Sequence, residues 1–151
     1  MRGEDRCIED LSRLLINAGK NPFMIKVCTS LYGNPIHKGH VRLMEEARKL
    51  GDYLVVIVNN DKQVALKGSK VFMDEQERCE IVKALRCVDE VVLSIDEDRT
   101  VRKTLESIKP DIFAKGGDST DENVPEKGIC PIVFGVGGGK IQSSSWLKNA
   151  I

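Results

Sequence analysis

Short apolar runs alternate with longer amphipathic segments along this chain, and the alternation restricts the possible folds strongly. The run YLVVIV is uninterrupted, and four further strand-like runs are FMIKVCTSL, EVVLSI, DIFAKGG and PIVFGV. Segments between them, such as KGHVRLMEEARKLG, have helical spacing and are long enough to connect parallel strands. Continuous Val, Ile and Leu runs are typical of strands buried on both faces. We therefore predict an α/β fold, a doubly wound five-stranded parallel sheet of Rossmann-like type with helices on both faces.

Residues that begin and end helices support the same alternation. Asp74 stands three residues before Glu77, as in a capping box, and opens the helix predicted in MDEQERCEIVKALRCV. Pro110 ends the helix predicted in RTVRKTLESIKP. In doubly wound sheets, ligands bind at the carboxyl ends of the strands, where the strand order reverses. We expect a site there, lined by the loops NNDKQVALKGSKVF, GGDSTDENVPEKG and GVGGGKIQ.

The chain length predicts one domain with an N-terminal addition. With 151 residues and 41% hydrophobic residues, the chain can bury a single core, which we assign to residues 23–151. Residues 1–22 form a predicted helical extension whose apolar stripe consists of Ile8, Leu11, Leu14 and Leu15. Because such a stripe must be covered, we predict a homodimer, with folding back over the chain's own sheet as the alternative.

Charge and cysteine content exclude several classes of protein. The 23 basic and 23 acidic residues cancel and are interleaved, which predicts binding neither to nucleic acid nor to a membrane surface. No apolar run reaches transmembrane length, and residues 1–22 lack the pattern of an export signal. The five cysteines contain no CxxC pair, which indicates buried, reduced thiols rather than a disulfide framework. We predict a soluble cytoplasmic protein.

Both histidines of the chain lie in the stretch YGNPIHKGH, just after the first predicted strand. His37 and His40 flank a predicted helix start, where backbone N–H groups and the helix dipole favour an anion. Gly39 between them lets a phosphate approach the backbone closely. A zinc site is disfavoured because no cysteine lies nearby and no third ligand has the usual spacing. The stretch predicts a phosphate site, with two unrelated histidines as the alternative.

A second glycine-rich stretch, GGGKIQSSS, lies near the C-terminus. A Walker-type phosphate loop is excluded, because Ile141 stands where Ser or Thr should follow the lysine and Phe134 occupies the partner glycine position. The serine run is instead expected to cap a terminal helix, SSSWLKNAI, with hydroxyl and N–H groups that can take a γ-phosphate. Its members are Ser143, Ser144 and Ser145. A helix cap without a ligand is the alternative.

Several motifs together resemble those of one enzyme family. GNPIHKGH resembles the HxGH signature of the cytidylyltransferase-like nucleotidyltransferases, and GGKIQSSSWL resembles their second signature. LGDYLVVIVNND, LKGSKVFMDEQERCEIVKALRCVDEVV and KPDIFAKGGD follow in the order found in glycerol-3-phosphate cytidylyltransferases and in the nucleotidyltransferase domain of ADP-heptose synthases. The resemblance runs from around Met24 to the C-terminus. It implies a HUP-type fold and transfer of AMP or CMP from ATP or CTP to a phosphorylated sugar or polyol, with release of pyrophosphate.

The resemblance also implies roles for individual residues. An acceptor phosphate oxygen attacks the α-phosphorus, so the protein must align the reactants and stabilise charge rather than supply a nucleophile. His40 is assigned to the α-phosphoryl oxygens and His37 to the triphosphate. Lys67 and Lys70, in a loop, would close over the β- and γ-phosphates, and the Arg78 guanidinium would hold phosphate or carboxylate.

Further nucleotide-binding candidates follow from the same motifs. In the family, an aromatic residue usually directly precedes the Asp or Asn that lies three residues before the first histidine, but here Gly33 takes that place and the aromatic residue is Tyr32. Magnesium is expected with the triphosphate, held mainly by phosphates and water. Asp118 is a candidate outer ligand of the magnesium ion or a contact to the substrate. In the alternative interpretation, the two glycines before it only form a turn. The candidates are Tyr32, Asn34, Gly39, Lys70, Gly116, Gly117, Asp118, Ser143, Ser144 and Ser145.

Two other functions stay open at this point. Some archaeal FAD synthetases share these motifs, so the acceptor could be FMN, which would require an apolar slot. A nucleotide-binding sensor with the same fold and no turnover is the second alternative. ATP is slightly favoured over CTP, because KGGD and SIDED resemble the heptose enzymes more closely.

Overall fold

A computed structural model of the chain describes residues 24–117 and 124–138. Within these ranges, five strands alternate with four helices. The strands are β1 (Lys26–Leu31), β2 (Tyr53–Val58), β3 (Glu90–Leu93), β4 (Ile112–Ala114) and β5 (Ile132–Val133). The helices are α1 (Lys38–Arg48), α2 (Asp61–Leu66), α3 (Glu75–Lys83) and α4 (Arg102–Ile108).

The strands form one five-stranded sheet in the order β3-β2-β1-β4-β5, and every pairing is parallel. The chain winds from β1 outward to β3 and then returns to β4 on the other side of β1. In register, Val27 of β1 pairs with Leu54 on one side and Ile112 on the other. The strand order therefore reverses between β1 and β4, and ligands of such sheets bind at this point.

Apolar side chains cover both faces of the sheet, which confirms the doubly wound prediction. One buried cluster packs α1 and α3 on one face and includes Met44, Ala47 and Val82. The other cluster packs α4 on the opposite face and includes Leu105 and Phe113. Strand β2 contributes to both clusters, because its successive side chains point to opposite faces.

Helix α2 corrects the prediction that NNDKQVALKGSKVF is a loop. Asn60 caps this helix by accepting a hydrogen bond from Gln63 N–H, and Gln63 Oε1 accepts one from Asn60 N–H. The buried Gln63 amide also donates to the carbonyls of Asp98 and Thr100. A helix this short has too few turns to show a hydrophobic period, so its reciprocal cap was the signal available in the sequence.

Two other helix ends follow the sequence. Asp74 caps α3 by accepting a hydrogen bond from Glu77 N–H, as predicted. Helix α4 ends at Lys109, which has a left-handed backbone with φ of 54°, just before Pro110. The acidic side chain of Asp96 accepts hydrogen bonds from the N–H groups of Lys103 and Thr104 and so satisfies the start of α4.

Several predictions fall outside the described residues. These are the helical extension of residues 1–22 with the dimer it suggests, Asp118, and the serine run Ser143–Ser145. They stay predictions. In the ranges that the structure describes, no helix has the length and apolar character needed to cross a membrane.

The cysteines in the described ranges are chemically quiet. Burial raises the pKa of the Cys28, Cys79, Cys87 and Cys130 thiols. At neutral pH these side chains are therefore thiols rather than reactive thiolates. Cys28 is buried, as expected, whereas Cys79, Cys87 and Cys130 are half-buried, so the interpretation of buried thiols fits Cys28 fully and the other three in part.

Candidate active site

The two histidines form the start of α1 together. His37 is the N-cap residue, and its Nδ1 accepts a hydrogen bond of 3.1 Å from Gly39 N–H. His40 Nδ1 accepts a hydrogen bond of 3.2 Å from His37 N–H. The two rings are stacked with their centroids 3.9 Å apart and an angle of 28° between their planes. The pair is therefore a capping box in which imidazoles replace the usual hydroxyl and carboxylate groups.

This cap fixes the tautomer of both rings. A ring nitrogen that accepts a hydrogen bond carries no proton, so the proton of each imidazole lies on Nε2. The structure thus places two Nε2–H donors side by side at the carboxyl end of β1. The N-terminus of α1, which favours anions, is at the same place.

His40 is held in its neutral form. Burial, together with the nearby charges of His37 and Lys67, lowers its pKa from 6.5 to about 3. At neutral pH His40 therefore supplies a hydrogen-bond donor and not a proton. This state suits a group that stabilises charge on a phosphoryl oxygen.

The low pKa of His40 gives a testable titration. The His40 ring should stay neutral down to about pH 3 in the folded protein, and a histidine NMR titration should show this midpoint well below 6.5. Because the unfolded chain takes up the proton near pH 6.5, protonation favours unfolding, and stability should fall as pH falls from about 6.5 towards 3. This contribution should be absent from a His40→Asn variant. A midpoint near 6.5 in the folded protein would contradict the burial of the ring.

Lys67 lies beside His40, but on a helix end rather than in a loop. It is the C-cap residue of α2, and its N–H donates to Gln63 carbonyl. Its Nζ is 4.4 Å from the centroid of the Tyr32 ring, a cation–π distance. The structure therefore brings Lys67, Tyr32 and His40 together, as the sequence predicted. Contact of Lys67 with a triphosphate stays a prediction.

The predicted ligand-binding role of Arg78 is wrong. Its side chain is fully buried, at 0% exposed, and its guanidinium donates to the carbonyls of Tyr32, Asn59 and Met73. It also forms an ion pair of 2.6 Å with Asp61. These bonds use four of the five N–H groups of an arginine. Arg78 positions the segments around the site and has no surface to offer a phosphate.

Asn34 also has a role other than the one predicted. Asn34 is buried, and its Nδ2 donates to the Lys70 carbonyl, while its Oδ1 accepts from Phe72 and Met73 N–H. Because both ends of this amide are occupied, Asn34 fixes the loop before α3 rather than binding nucleotide. The Lys70 side chain is exposed, and its contact with a triphosphate stays a prediction. Gly39 N–H is occupied by the histidine cap.

Comparison with known proteins identifies the family. Residues 34–129, more than half of the chain, match the family described as cytidylyltransferase-like. The chain belongs to the cytidylyltransferase-like family. The resemblance of the HxGH stretch is thereby confirmed, and so is the α/β fold.

Individual relatives differ in how much of the chain they share. The chain is 53% identical to the FAD synthase of Ferroglobus placidus over 83 residues, which are 55% of this chain and 53% of that protein. It is 39% identical to the bifunctional protein HldE of Syntrophotalea carbinolica over 124 residues, 81% of this chain and 24% of that protein. The chain is also similar to a solved structure, the lipopolysaccharide core biosynthesis protein of Thermoplasma volcanium GSS1, with a TM-score of 0.64 and 29% identity. The match covers 75% of this chain and 96% of the chain in that structure. The chain thus spans about half the length of the FAD synthase and about a quarter of the length of HldE.

Gly116 has a packing role in this cytidylyltransferase-like chain. A Cβ atom on Gly116 would lie 3.0 Å from the Val136 carbonyl and 3.1 Å from Leu43 Cδ1. The loop after β5 therefore approaches the end of β4 and α1 closely. Gly117 has a φ of 63° with open space around it, so it forms the turn that was the alternative interpretation.

Two charged residues that act on Tyr32, Arg99 and Glu126, were not predicted from the sequence, and neither was Lys115, which pairs with Glu126. Burial raises the pKa of the Tyr32 hydroxyl, the Arg99 guanidinium opposes this effect through its charge and a hydrogen bond, and the charge of Glu126 adds to it. Lys115 Nζ lies 3.9 Å from Glu126 Oε1. Arg99 is a basic residue in the acidic run SIDEDRT, which was the available signal. The sequence gave no signal for Glu126 and Lys115, because the distance between these two side chains depends on how the turn before β5 packs.

Magnesium was expected with the triphosphate, held mainly by phosphates and water, and this stays a prediction. Among the described residues no three His, Cys, Asp or Glu side chains are grouped so that they could hold a metal ion. The histidine pair and Lys67 present hydrogen-bond donors, which do not bind a hard cation. By themselves, these residues do not form a protein-held magnesium site.

Proposed function

We propose that the protein is a nucleotidyltransferase that transfers AMP or CMP from ATP or CTP to a phosphorylated sugar or polyol, releasing pyrophosphate. The observation that carries this proposal is the histidine pair, with its two Nε2–H donors fixed at a helix N-terminus and at the switch point of the sheet. Family membership supports the same reaction class.

The geometry suits a direct displacement. The acceptor phosphate is ionised at neutral pH, so its oxygen can attack the α-phosphorus without a general base, and the bond to pyrophosphate breaks. His40, neutral because its pKa is about 3, would donate to an α-phosphoryl oxygen as charge spreads over it. Lys67, exposed and cationic beside the pair, would stabilise the leaving pyrophosphate. His37 would hold the triphosphate in line.

FMN is a second candidate acceptor, for a specific reason. Leu66 and Phe72 are each 54% exposed, and they flank the segment that carries Lys67 and Lys70. Exposed apolar side chains beside cationic groups fit a flavin phosphate, whose ring is apolar and whose phosphate is anionic. The similarity to a FAD synthase supports this candidate, and the longer match to HldE supports the sugar or polyol.

Pyrophosphate release tests the proposal and separates the alternatives. The protein should be assayed with ATP and with CTP against glycerol 3-phosphate, a heptose 1-phosphate and FMN. Release with a sugar or polyol phosphate supports the main proposal, and release with FMN alone supports FMN adenylyltransferase. Nucleotide binding without release for any acceptor would favour a nucleotide-binding sensor and contradict both enzymes.

Lys67→Ala should weaken triphosphate binding more than acceptor binding. We expect the KM for the nucleoside triphosphate to rise about tenfold, the scale of one lost hydrogen bond to a charged group, with little change in the KM for the acceptor. Lys62→Ala, an exposed lysine on the same helix, is the matched control and should change neither KM. Equal increases in both values for Lys67→Ala would point to a disturbed α2 instead.

A further inference from the structure

The loop after β3 is bound to the first turn of α2 by side-chain amides. Asn60 Nδ2 and Gln63 Nε2 each donate to two backbone carbonyls of this loop, at distances from 2.8 to 3.1 Å. The four carbonyls belong to Ser94, Asp96, Asp98 and Thr100. Every second carbonyl of residues 94–100 is therefore held by α2, and we call this segment the clamped loop.

Arg99 lies between two of the held positions, and its side chain is exposed. Gln63, which holds the carbonyls on both sides of it, is itself fully buried, at 0% exposed. Within the loop, Asp98 Oδ1 also accepts hydrogen bonds from Thr100 N–H, at 2.9 Å, and from Thr100 Oγ1, at 2.7 Å. The clamped loop thus presents an exposed guanidinium on a backbone that hydrogen bonds hold on either side.

Gln63 also connects Arg99 to Lys67 through hydrogen bonds. Its carbonyl accepts from Lys67 N–H, at 3.0 Å, while its amide holds the residues on either side of Arg99. Lys67 Nζ lies 4.4 Å from the centroid of the Tyr32 ring. Arg99 acts on the hydroxyl of the same ring through its charge and a hydrogen bond. Two exposed cationic residues from different elements therefore meet at Tyr32, the residue directly after β1.

The proposed reaction needs positive charge at this place. A triphosphate and an acceptor phosphate repel each other, so cationic groups must offset the repulsion when both are bound. His40 is neutral, and Arg78 is buried in hydrogen bonds to the protein itself, so neither brings a charge to the ligands. The ion pairs seen among the described residues do not include Arg99. Its guanidinium is therefore not committed to a carboxylate in that part of the chain.

The position and the chemistry of Arg99 suit the acceptor rather than the triphosphate. The histidine pair at the start of α1 and Lys67 beside it are the groups proposed to hold the triphosphate. Arg99 comes instead from the loop after β3, the edge strand of the sheet, and it acts on the hydroxyl end of Tyr32 while Lys67 lies over the ring. The attacking and leaving oxygens of a phosphoryl transfer lie roughly in line, so the two phosphate groups need separate cations. A planar guanidinium can bind two oxygens of a phosphate monoester at once.

We propose that Arg99 binds the phosphate group of the acceptor. This inference rests on the proposed nucleotidyltransferase function. Sugar phosphates, polyol phosphates and FMN all carry a phosphate monoester, so the inference covers both candidate acceptors. In this role Arg99 holds two of the phosphate oxygens and leaves the third to attack the α-phosphorus.

The test measures pyrophosphate release by wild type, Arg99→Met and Arg99→Lys with glycerol 3-phosphate, a heptose 1-phosphate and FMN. Methionine removes the charge, and lysine keeps the charge without the planar fork. Arg86→Met is the matched control, because Arg86 is an exposed arginine in the turn before β3, at the other end of the same strand. This control removes the same charge from the protein.

We expect Arg99→Met to raise the KM for the acceptor about tenfold or more, while the KM for the nucleoside triphosphate stays within about twofold. Arg99→Lys should lie between wild type and Arg99→Met, and Arg86→Met should change neither KM. The midpoint of thermal unfolding of Arg99→Met should stay within about 2 °C of wild type, because the side chain is exposed and the clamp uses backbone carbonyls. A merely structural role would instead lower this midpoint and raise both KM values together.

Three outcomes would overturn the inference without touching the proposed function. They are an unchanged acceptor KM in Arg99→Met, an increase confined to the KM for the triphosphate, and an equal increase in acceptor KM for Arg86→Met. If the wild type releases no pyrophosphate with any acceptor, the proposed function fails, and calorimetric titration of the same three phosphates still decides. Weaker binding of a phosphate to Arg99→Met than to wild type supports the inference, and equal or absent binding overturns it.

Discussion

Replacing His40 by Ala should lower kcat by about 10²-fold or more, measured as pyrophosphate release at saturating substrates. The change removes the Nε2–H donor that, in the proposed reaction, would face the charge developing on the α-phosphoryl group. It also removes the acceptor of His37 N–H, which costs about 1 kcal/mol at a helix N-terminus. The fold should nevertheless remain intact, because the core packing of α1 is made by other residues.

A matched variant separates the donor from the cap. The Oδ1 of Asn in a His40→Asn variant lies close to the place of the imidazole Nδ1, so it can still accept from His37 N–H, but the variant has no Nε2–H. It should be about as inactive as His40→Ala and closer to wild type in stability. Lys38→Ala, an exposed change in the same helical turn, should leave kcat unchanged. If kcat of His40→Ala stays within a few fold of wild type, the role of the histidine is not the one proposed here.

Arg78→Met should lower the free energy of unfolding by about 3–5 kcal/mol, the scale of breaking a buried ion pair. Met fills similar space, but it leaves three carbonyls without their donor and Asp61 without its cation. Urea unfolding followed by circular dichroism measures the loss. Lys83→Met, an exposed substitution on the same helix, should stay within about 0.5 kcal/mol of wild type.

The opposite result would restore the role predicted from the sequence. A folded Arg78→Met protein of near wild-type stability, with a raised KM for the nucleoside triphosphate, would mean that the guanidinium serves the ligand. The buried position of the side chain, at 0% exposed, predicts the reverse. The main effect of Arg78→Met should therefore be a lower free energy of unfolding, and any loss of activity should result from displacement of the loops that Arg78 holds.

The sheet could be predicted because its strands have an unambiguous pattern. YLVVIV coincides with β2, which lies inside the sheet and pairs with β1 over its whole length and with β3 over residues 55–58. At the edges the apolar runs overestimate the strands: PIVFGV contains only Ile132–Val133 as strand, since β5 pairs with β4 alone and over two residues. Where an edge strand ends depends on the length of the strand it pairs with, and a single apolar run in the sequence carries no information about that length.

The candidate site was predicted in part, for a related reason. His37 and His40 are close in sequence, so their spacing and the helix start sufficed to place them together. Arg78 and Asn34 make bonds to residues 19 to 46 positions away, which no local pattern shows. A polar residue in a motif looks the same whether it binds a ligand or the backbone of another loop. Burial distinguishes the two cases, and burial is a property of the fold.

The histidine cap also affects the energetics of binding. Each ring is held by its Nδ1 to a backbone N–H, so neither can rotate without breaking a bond of the helix start. The conformational entropy of both rings is therefore lost when the chain folds, and not when a triphosphate arrives. A surface histidine would lose that freedom during each encounter with ligand. The first turn of α1 is thus a preorganised donor array whose ordering is already complete before any substrate binds.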